Sequence, residues 1–401
     1  MQVEPITCLR PQSEFAQEFC ALPYDVYDRS TALAYIAEHP RSFLAIDRPD
    51  CAFEEGHDPT APEVYLKAQE IMRDRQRDRT LTIDETPCLY LVEQTDATHT
   101  QTGVMCAISV DDYLSGKLRR HELTLHDKEL DRVNHIKATR AQTGPVFCCY
   151  RDSLAIDTIV MAAKMAEPLY DFVSADGVRQ RVWRVSRPAA IEALTLAFAG
   201  VEEAYIADGH HRAAAAVSIA CERREAGKES DPSDHFLCVL FPAGQLRIEP
   251  YDRIVADTCG MDVEELVRRI GERGFTVSEP STEAPKEFAK GTFAMYSHGA
   301  WRILSPDSPT DDLDVTVLQE RLLSPVLGID NPRSDKRISF VGGIGPQELQ
   351  DLTPKDGVSF ALFPTSIEEL MEISDRGDIM PPKSTWFSPK LLSGIALRRI
   401  W

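Results

Sequence analysis

The sequence predicts an α/β protein, with α+β character, in which helices flank mixed sheets. Strand-like and helix-like stretches alternate along most of its 401 residues, and no internal repeat or low-complexity tract interrupts them. Its 43% hydrophobic and 27% charged residues are ordinary for a globular protein. Because the length exceeds the ~250 to 300 residues at which a single core stops growing, we expect two regions, an N-terminal and central one at 1–256 and a C-terminal one at 257–401.

The positions of individual helices and strands are predicted from the spacing of hydrophobic residues and from the residues typical of turns. The clearest helix is 62–79, where Val64, Ala68 and Met72 fall on one face of a charged segment. An apolar run at 236–241 predicts a strand in the centre of a sheet. The other predicted elements are helices at 30–38, 154–166 and 263–272, and strands at 43–46, 88–93, 102–110, 179–185, 293–296 and 301–304.

The net charge of −20 limits the classes of partner. A chain this acidic repels DNA and anionic lipid at long range, so we predict neither a DNA nor a membrane partner, while a small anion can still bind in a local basic pocket. The ten cysteines include no Cys-x-x-Cys pair and lie in apolar stretches, which indicates buried, reduced thiols. With no leader-like N-terminus and no window of ~18 apolar residues, we expect a cytoplasmic location.

The segment Ala207-Asp208-Gly209-His210-His211-Arg212 carries the strongest signal of function. It joins a predicted strand at 203–207 to a predicted helix whose first turn holds the two histidines and the arginine and which continues through Ala213 to Ala216. Such a turn directs backbone N–H groups and the positive end of the helix dipole at one point, so it favours an anion. Arg212 can grip two phosphate oxygens, the histidines can donate hydrogen bonds or move protons, and Gly209 permits a close approach. The motif therefore predicts a phosphate site.

Two interpretations of this turn remain open at the level of sequence. Asp208 either caps the helix by accepting backbone N–H bonds, or holds Mg²⁺ or a substrate hydroxyl beside the phosphates. Gly209 can also be a plain turn residue, with the histidine pair satisfied at a surface. Because two histidines and an arginine are costly to desolvate beside an acid unless a ligand uses them, we favour the functional interpretation.

Two shorter segments supply further candidate residues. In Arg119-Arg120-His121-Glu122 an extended chain directs Arg120 and Glu122 to one side and His121 to the other, although a charged surface segment is the alternative. Asp25, after Pro23-Tyr24, is either a second acid that faces the site or a turn aspartate.

The proline-rich segment 380–390 is the last candidate. Its prolines restrict it to an extended path, and its lysines, hydroxyls and aromatics suit a pocket lining. An ordinary loop that buries Trp386 and Phe387 is the alternative.

Five segments in this order resemble a bacterial and archaeal family catalogued as domain of unknown function ten-fifteen, and the resemblance covers nearly the whole chain. The Asp-Gly-His-His-Arg element is also similar to the nucleotide-binding motif of the ParB and sulfiredoxin superfamily, which includes chromosome-partitioning CTPases and kinases that phosphorylate free serine. This second resemblance implies a ParB/sulfiredoxin-like nucleotide-binding core with an additional C-terminal region. The five segments are Pro23-Tyr24-Asp25-Val26, Arg120-His121-Glu122, Ala207 to Arg212, Asn331-Pro332-Arg333 through Gly343, and Met380 to Phe387.

The same resemblance implies roles for the candidate residues. Residues 209–212 would cradle nucleotide phosphates bridged by Mg²⁺, and a carboxylate would activate the acceptor hydroxyl. Arg120, Lys383 and Lys390 would stabilise charge on the transferred phosphoryl group. The predicted catalytic residues are Asp25, Glu122, Asp208 and His211; the predicted phosphate-binding residues are Arg120, His121, Gly209, His210, Arg212, Lys383, Ser384, Thr385 and Lys390.

These observations lead to one predicted function and two alternatives. We predict a nucleotide-dependent phosphotransferase that acts on a small hydroxylated metabolite and uses ATP or ADP, or alternatively CTP, with Mg²⁺. The first alternative is a ParB-like protein that a nucleotide orders or dimerises without turnover, and a homodimer is one assembly we consider. The second is a non-catalytic scaffold. No convincing helix-turn-helix follows the motif, which argues against the DNA-binding half of the partitioning proteins.

Overall fold

The computed structural model describes residues 1–228 and 231–400. The chain forms two compact units. The first, called the N-terminal unit below, comprises Met1–Leu246 and Pro389–Trp401, and the second, called the inserted unit, comprises Arg247–Ser388.

The strands and helices of the described residues alternate along both units, as the sequence predicts. The strands are β1 (Val3–Glu4), β2 (Cys8–Pro11), β3 (Leu81–Ile83), β4 (Leu89–Thr95), β5 (Thr100–Ser109), β6 (Leu118–Arg119), β7 (Ala141–Gln142), β8 (Val146–Tyr150), β9 (Tyr170–Val173), β10 (Arg179–Val185), β11 (Ala204–Asp208), β12 (His235–Pro242), β13 (Ile248–Glu249), β14 (Tyr251–Val255), β15 (Phe275–Val277), β16 (Phe293–Ser297), β17 (Ala300–Pro306), β18 (Ile338–Gly342), β19 (Val358–Ala361), β20 (Trp386–Phe387) and β21 (Leu397–Arg399). The helices are α1 (Ala16–Phe19), α2 (Arg29–Glu38), α3 (Leu44–Asp47), α4 (Pro62–Arg77), α5 (Val110–Leu114), α6 (His126–Thr139), α7 (Leu154–Ala163), α8 (Pro188–Ala199), α9 (His210–Glu225), α10 (Val263–Gly271), α11 (Asp314–Leu318), α12 (Ser324–Leu327), α13 (Pro346–Leu352) and α14 (Ile367–Arg376).

A large mixed sheet forms the centre of the N-terminal unit, with the strand order β6-β11-β8-β12-β5-β4-β10-β9 and β1 paired to β5. The pairs β6–β11 and β8–β12 are parallel, and the other pairs are antiparallel. Strand β12 lies between β8 and β5, and Phe236 to Phe241 are fully buried within it. The prediction of a central buried strand at 236–241 is therefore confirmed.

One face of this sheet packs on α7, α8 and α9 in a continuous core. Apolar side chains from β4, β5, β8, β11 and β12 contact Ile156, Leu194, Phe198 and Ala213 on those helices. Since alanine has no side chain beyond Cβ, the buried run Ala213 to Ala216 brings the backbone of α9 close to the sheet. The sheet and this helix together hold the β11–α9 turn in place.

A smaller sheet of the N-terminal unit includes the C-terminal end of the chain. Its order is β3-β2-β21-β7, with Cys8 opposite Arg398 and Arg398 opposite Gln142. The last strand thus returns to the unit in which the chain begins.

The inserted unit has its own antiparallel sheet, ordered β15-β17-β16-β19-β14-β18, and its own core around Trp301. The short strands β13 and β20 pair with each other, Ile248 opposite Phe387. The two chain segments that delimit the insertion therefore run side by side.

The prediction of a strand at 43–46 is wrong, because Leu44–Asp47 is the short helix α3. The run Phe43 to Ile46 is largely buried, and a short apolar run of this kind has the same hydrophobic signal in a strand and in one helical turn. Helix α6 was not predicted, since its composition is strongly polar.

Among the described residues, no helix combines the length and the apolar character needed to cross a membrane.

Candidate functional site

The turn between β11 and α9 adopts the predicted strand–turn–helix geometry. Strand β11 is buried through Ala207 and ends at Asp208, and α9 starts at His210. Between them Gly209 has φ 96° and ψ 29°, a left-handed conformation that is unfavourable for a residue with a Cβ. Glycine is therefore required for this reversal of the chain.

Arg212 folds back over Gly209. Its Nη1 donates to the carbonyl oxygen of Pro145, and its Nη2 lies 3.6 Å from Oδ2 of Asp208. A Cβ added to Gly209 would lie 3.0 Å from Arg212 Nε. The glycine thus makes room for a guanidinium group at the start of the helix.

Asp208 does not occupy the capping position that one interpretation of the sequence gave it. The N-cap residue is Gly209, which has no side chain to accept a hydrogen bond from the first turn of α9. The Asp208 carboxylate instead accepts a hydrogen bond from the Gly209 N–H at 2.8 Å and lies beside Arg212. Asp208 therefore contacts both the turn and the arginine.

His121 and His210 form a buried pair behind this turn. The two rings meet edge to face with their centroids 4.5 Å apart, and both side chains are almost fully buried. Burial lowers the pKa of His121 to about 4, although Asp208 and a hydrogen bond with the Ile206 backbone oppose that shift. Burial, and then the neighbouring His121, lower the pKa of His210 well below its usual value. Both imidazoles are therefore neutral at pH 7.

The pair leaves two polar atoms unsatisfied within the described residues. Nδ1 of His121 and Nε2 of His210 are buried and have no hydrogen-bond partner there. Buried polar atoms are rarely left unpaired in proteins, because each costs about 1–3 kcal/mol. The pair is suited to exchange hydrogen bonds with a ligand at the helix start.

Three other predicted site residues lie in or near this turn, and they differ in exposure and in their contacts. Arg120 is exposed, stacks on the Tyr113 ring and donates to its hydroxyl at 3.1 Å. Glu122 is half-buried. His211 accepts a hydrogen bond at Nε2 from the Leu125 N–H at 3.1 Å. This bond places the ring proton of a neutral His211 on Nδ1.

The N-terminal motif lies close to the central motif. Pro23 and Tyr24 line a cavity together with Arg212, and Asp25 is exposed in the short turn Tyr24–Val26. The space that the cavity encloses, about 30 Å³, is enough for about two water molecules. Pro23 and Tyr24 are therefore brought beside Arg212 within one unit.

The same cavity contains polar residues that the sequence did not reveal. Arg132 from α6 stacks over the Tyr24 ring at 4.4 Å, and its Nη1 lies 3.9 Å from Oδ1 of the buried Asp47. Thr143 donates to the same Asp47 oxygen at 3.2 Å. These side chains belong to no sequence motif. The sequence of α6 is rich in charged residues, which is typical of a surface helix, and only the structure shows which of its side chains are buried.

Lys383, Ser384 and Thr385 belong to the inserted unit. Lys383 has a left-handed backbone with φ 59°, and its carbonyl oxygen accepts a hydrogen bond from the buried Arg253 at 3.0 Å. Ser384 donates to the carbonyl oxygen of Pro381 at 2.7 Å. Lys390 belongs to the N-terminal unit, where its carbonyl oxygen accepts a hydrogen bond from Gln94. The prediction that the 380–390 segment reaches the β11–α9 turn stays a prediction.

Two C-terminal motifs do meet inside the inserted unit. The Trp386 indole packs directly on Gly342 and Gly343, where added Cβ atoms would lie 2.1 and 2.7 Å from its ring atoms. Tyr251 contacts the same indole edge to face. A residue larger than glycine at position 342 or 343 would therefore collide with Trp386. This contact joins the motif that begins at Asn331 to the proline-rich segment.

The family model described as Protein of unknown function (DUF1015) matches residues 3–322. The chain belongs to this family. No curated protein matches this DUF1015 member.

Solved structures that resemble the DUF1015 chain share little sequence with it. A conserved hypothetical protein from Pyrococcus furiosus is 16% identical with a TM-score of 0.37, over 74% of this chain and 95% of that one. SbnI with a C-terminal truncation, from Staphylococcus aureus, is 13% identical with a TM-score of 0.40, over 73% and 87%. A free serine kinase variant in complex with ADP is 16% identical with a TM-score of 0.38, over 71% and 87%. TM-scores of this size carry no argument about function.

Proposed function

We propose that this protein binds a nucleotide at the β11–α9 turn and transfers a phosphoryl group to a hydroxyl of a small metabolite. The observation that carries the proposal is the arrangement of Gly209, Arg212 and the buried His121–His210 pair around the start of one helix. This helix of 16 residues directs its positive end at the turn. An anion at that position gains from the dipole, from the guanidinium and from an N–H donated by the neutral His210 ring.

In this proposal Mg²⁺ binds together with the nucleotide phosphates. Among residues 1–228 and 231–400, no group of three His, Cys, Asp or Glu side chains is arranged to hold a metal ion. Mg²⁺ commonly binds through one or two carboxylates, water and the phosphates of a nucleotide. Asp208 ends β11 directly before the first turn of α9, so it is the carboxylate that would hold the metal, and the metal would supply charge neutralisation there.

We assign Glu122 as the group that accepts the proton of the acceptor hydroxyl. Asp208 is the carboxylate that we assign to Mg²⁺, and the Nε2 lone pair of His211 accepts from the Leu125 N–H. Asp25 is exposed in a surface turn. Glu122 is half-buried, and the alternation of an extended chain directs it to the same side as Arg120, a predicted phosphate-binding residue.

Binding of ADP, ATP, CTP and GTP, each with and without Mg²⁺, tests the first half of the proposal. We expect a thermal shift with at least one nucleotide, since a ligand at 100 times its Kd adds about 2.7 kcal/mol of stability. Arg212→Ala should weaken that binding about tenfold or more, because it removes a charge-assisted contact. Arg223→Ala is the matched control, since Arg223 lies near the other end of α9 and pairs with Asp231.

Product formation tests the second half. Phosphorus NMR with the bound nucleotide and a panel of hydroxylated metabolites, L-serine first, should show a new phosphate ester. Glu122→Gln should keep nucleotide binding and lose at least 100-fold in the rate of transfer. Tight binding without any product would favour the nucleotide-gated alternative, and no binding by any of the four nucleotides would reject the site itself.

A further inference from the structure

Arg120 is a cation without a carboxylate partner in the part of the chain that the structure describes. Its side chain is exposed, and the hydrogen bond and the ring contact that it makes are both with Tyr113. The preceding residue shows the contrast, since Arg119 forms an ion pair with Glu203. On a chain with a net charge of −20, an arginine that no acid neutralises is available to an anionic ligand.

Tyr113 holds the Arg120 side chain in two ways. The guanidinium carbon lies 4.9 Å from the centre of the Tyr113 ring, and Nη1 donates to the phenol oxygen at 3.1 Å. The ring is half-buried and packs on the main core of the N-terminal unit. Helix α5, which carries this ring, is capped by the Ser109 hydroxyl, which accepts from the Asp111 N–H at 3.1 Å. Tyr113 is therefore a fixed support for a side chain that otherwise samples many rotamers in water.

The end of β6 brings Arg120 to the same edge of the sheet as the β11–α9 turn. Strands β6 and β11 are parallel neighbours, Arg120 follows directly on β6, and Asp208 ends β11. Burial is the main cause that lowers the pKa of His210, and the charge of Arg120 adds to that shift. The guanidinium that Tyr113 holds thus lies within electrostatic reach of the first residue of α9.

We propose that Tyr113 is a positioning residue, which holds Arg120 ready to contact the phosphates of the nucleotide. This inference rests on the proposed function, because it requires an anion at the β11–α9 turn. An arginine has five N–H donors, and the bond to the phenol oxygen uses one of them, so the others are left for phosphate oxygens. Holding a long side chain in place before the ligand arrives lowers the entropy cost of the contact. Loss of the phenol oxygen therefore weakens binding, although Tyr113 itself touches no ligand.

Calorimetric titration of the full chain with inorganic pyrophosphate, and with each of the four nucleotides, tests the proposal. Arg120→Ala should weaken binding about tenfold or more, since it removes a charge-assisted contact. Tyr113→Phe keeps the ring and loses the hydrogen bond, so the affinity should fall about threefold. In a chain that already carries Arg120→Ala, Tyr113→Phe should have no further effect, because the side chain that it positions is gone. A purely structural role of Tyr113 would instead give effects that add.

Tyr205→Phe is the matched control, because Tyr205 makes the same type of contact with another arginine. Arg151 Nη2 donates to the Tyr205 phenol oxygen at 3.2 Å, and the guanidinium carbon of Arg151 lies 5.7 Å from the ring centre. This pair lies toward the start of β11, away from the end at Asp208. The control should bind pyrophosphate and the nucleotides as the wild type does.

A Tyr113→Phe variant that binds as tightly as Tyr205→Phe would overturn the inference, and tighter binding would mean that Tyr113 competes with the ligand for Arg120. Full additivity with Arg120→Ala would overturn it as well. These results leave the proposed function standing, since nucleotide binding and product formation are measured on the wild type. A wild type that binds the anions, shows the coupling and forms no phosphate ester would reject the transfer alone, and one that binds none of them would overturn both.

Discussion

His121 shows how burial sets the charge of a candidate ligand side chain. An imidazole in water titrates near neutral pH, but its charged form loses hydration when it is buried. In the folded chain this cost exceeds the attraction of Asp208, so the pKa falls to about 4. His121 and His210 therefore enter the site as neutral groups that can donate or accept hydrogen bonds, while the positive charge comes from Arg212.

The lowered pKa of His121 makes stability depend on pH in a definite direction. Between the ordinary value near 6.5 and about 4, the unfolded chain binds a proton at His121 that the folded chain does not. Stability is therefore retained above pH 6.5 and lost as the pH falls toward 4. The contribution of this residue amounts to about 2 kcal/mol between pH 7 and pH 5.

We predict that His121→Gln has a shallower loss of stability over this pH interval than the wild type. Urea unfolding at pH 7, 6 and 5 measures the free energy of unfolding of both proteins. The variant should be less stable at pH 7, where a buried contact is lost, and the gap should narrow as the pH falls. An equal drop in both proteins would contradict the assignment of His121 as a buried neutral group.

At the scale of elements, close packing between strands decides which residues are tolerated. Gly103 in β5 lies under the side chains of β12, where an added Cβ would be 2.6 Å from Val239 Cγ1 and 2.9 Å from the Phe241 ring. Both of these side chains are fully buried. The absence of a side chain at Gly103 leaves room for the Phe241 ring against the neighbouring strand.

We predict that Gly103→Ala destabilises the protein by about 1–3 kcal/mol, because the extra methyl group overpacks a buried contact. Gly271→Ala is the matched control at the end of α10, where an added Cβ meets nothing within 4 Å. The control should be neutral or stabilising by up to about 1 kcal/mol, as expected for a helical glycine. Thermal unfolding of both variants compares them, and equal effects would argue against overpacking at Gly103.

At the scale of the whole molecule, the N-terminal unit is completed by the last residues of the chain. Strand β21 pairs with both β2 and β7. The Arg398 guanidinium donates to the carbonyl oxygens of His235 at 2.8 Å and Pro232 at 2.7 Å, and Leu397 and Ile400 are buried. The 142-residue span Arg247–Ser388 is thus inserted into the sequence of another compact unit.

We predict that deletion of residues 389–401 prevents the N-terminal unit from folding stably. The deletion leaves β2 and β7 without their shared neighbour and uncovers the buried side chains that packed on Leu397 and Ile400. Far-UV circular dichroism during urea unfolding measures the effect. Arg398→Ala keeps the strand and removes the three side-chain hydrogen bonds of Arg398, to Gln142, His235 and Pro232, so it should lose a few kcal/mol. A truncated chain that unfolds at the same urea concentration as the full chain would contradict this prediction.

The sequence by itself determined the features of the fold and of the site that depend on local residue patterns. It predicted the mixed α/β class, the central strand at 236–241, and the strand–turn–helix at Gly209, because hydrophobic period and glycine chemistry act over a few residues. It also predicted that Arg120 and His121 point in opposite directions, and the structure has Arg120 exposed and His121 buried. The family followed from motifs in order along the chain.

The tertiary structure alone decided the features that depend on contacts between segments far apart in the sequence. The pairing of His121 with His210 joins positions 89 residues apart, and the cavity that joins Tyr24 to Arg132 and Arg212 draws on three separate parts of the chain. A short apolar run at 43–46 became helix α3, since tertiary packing overrides a pattern that fits both states. Charge states and cavities are properties of the packed molecule, because burial is set by neighbours that sequence order does not identify.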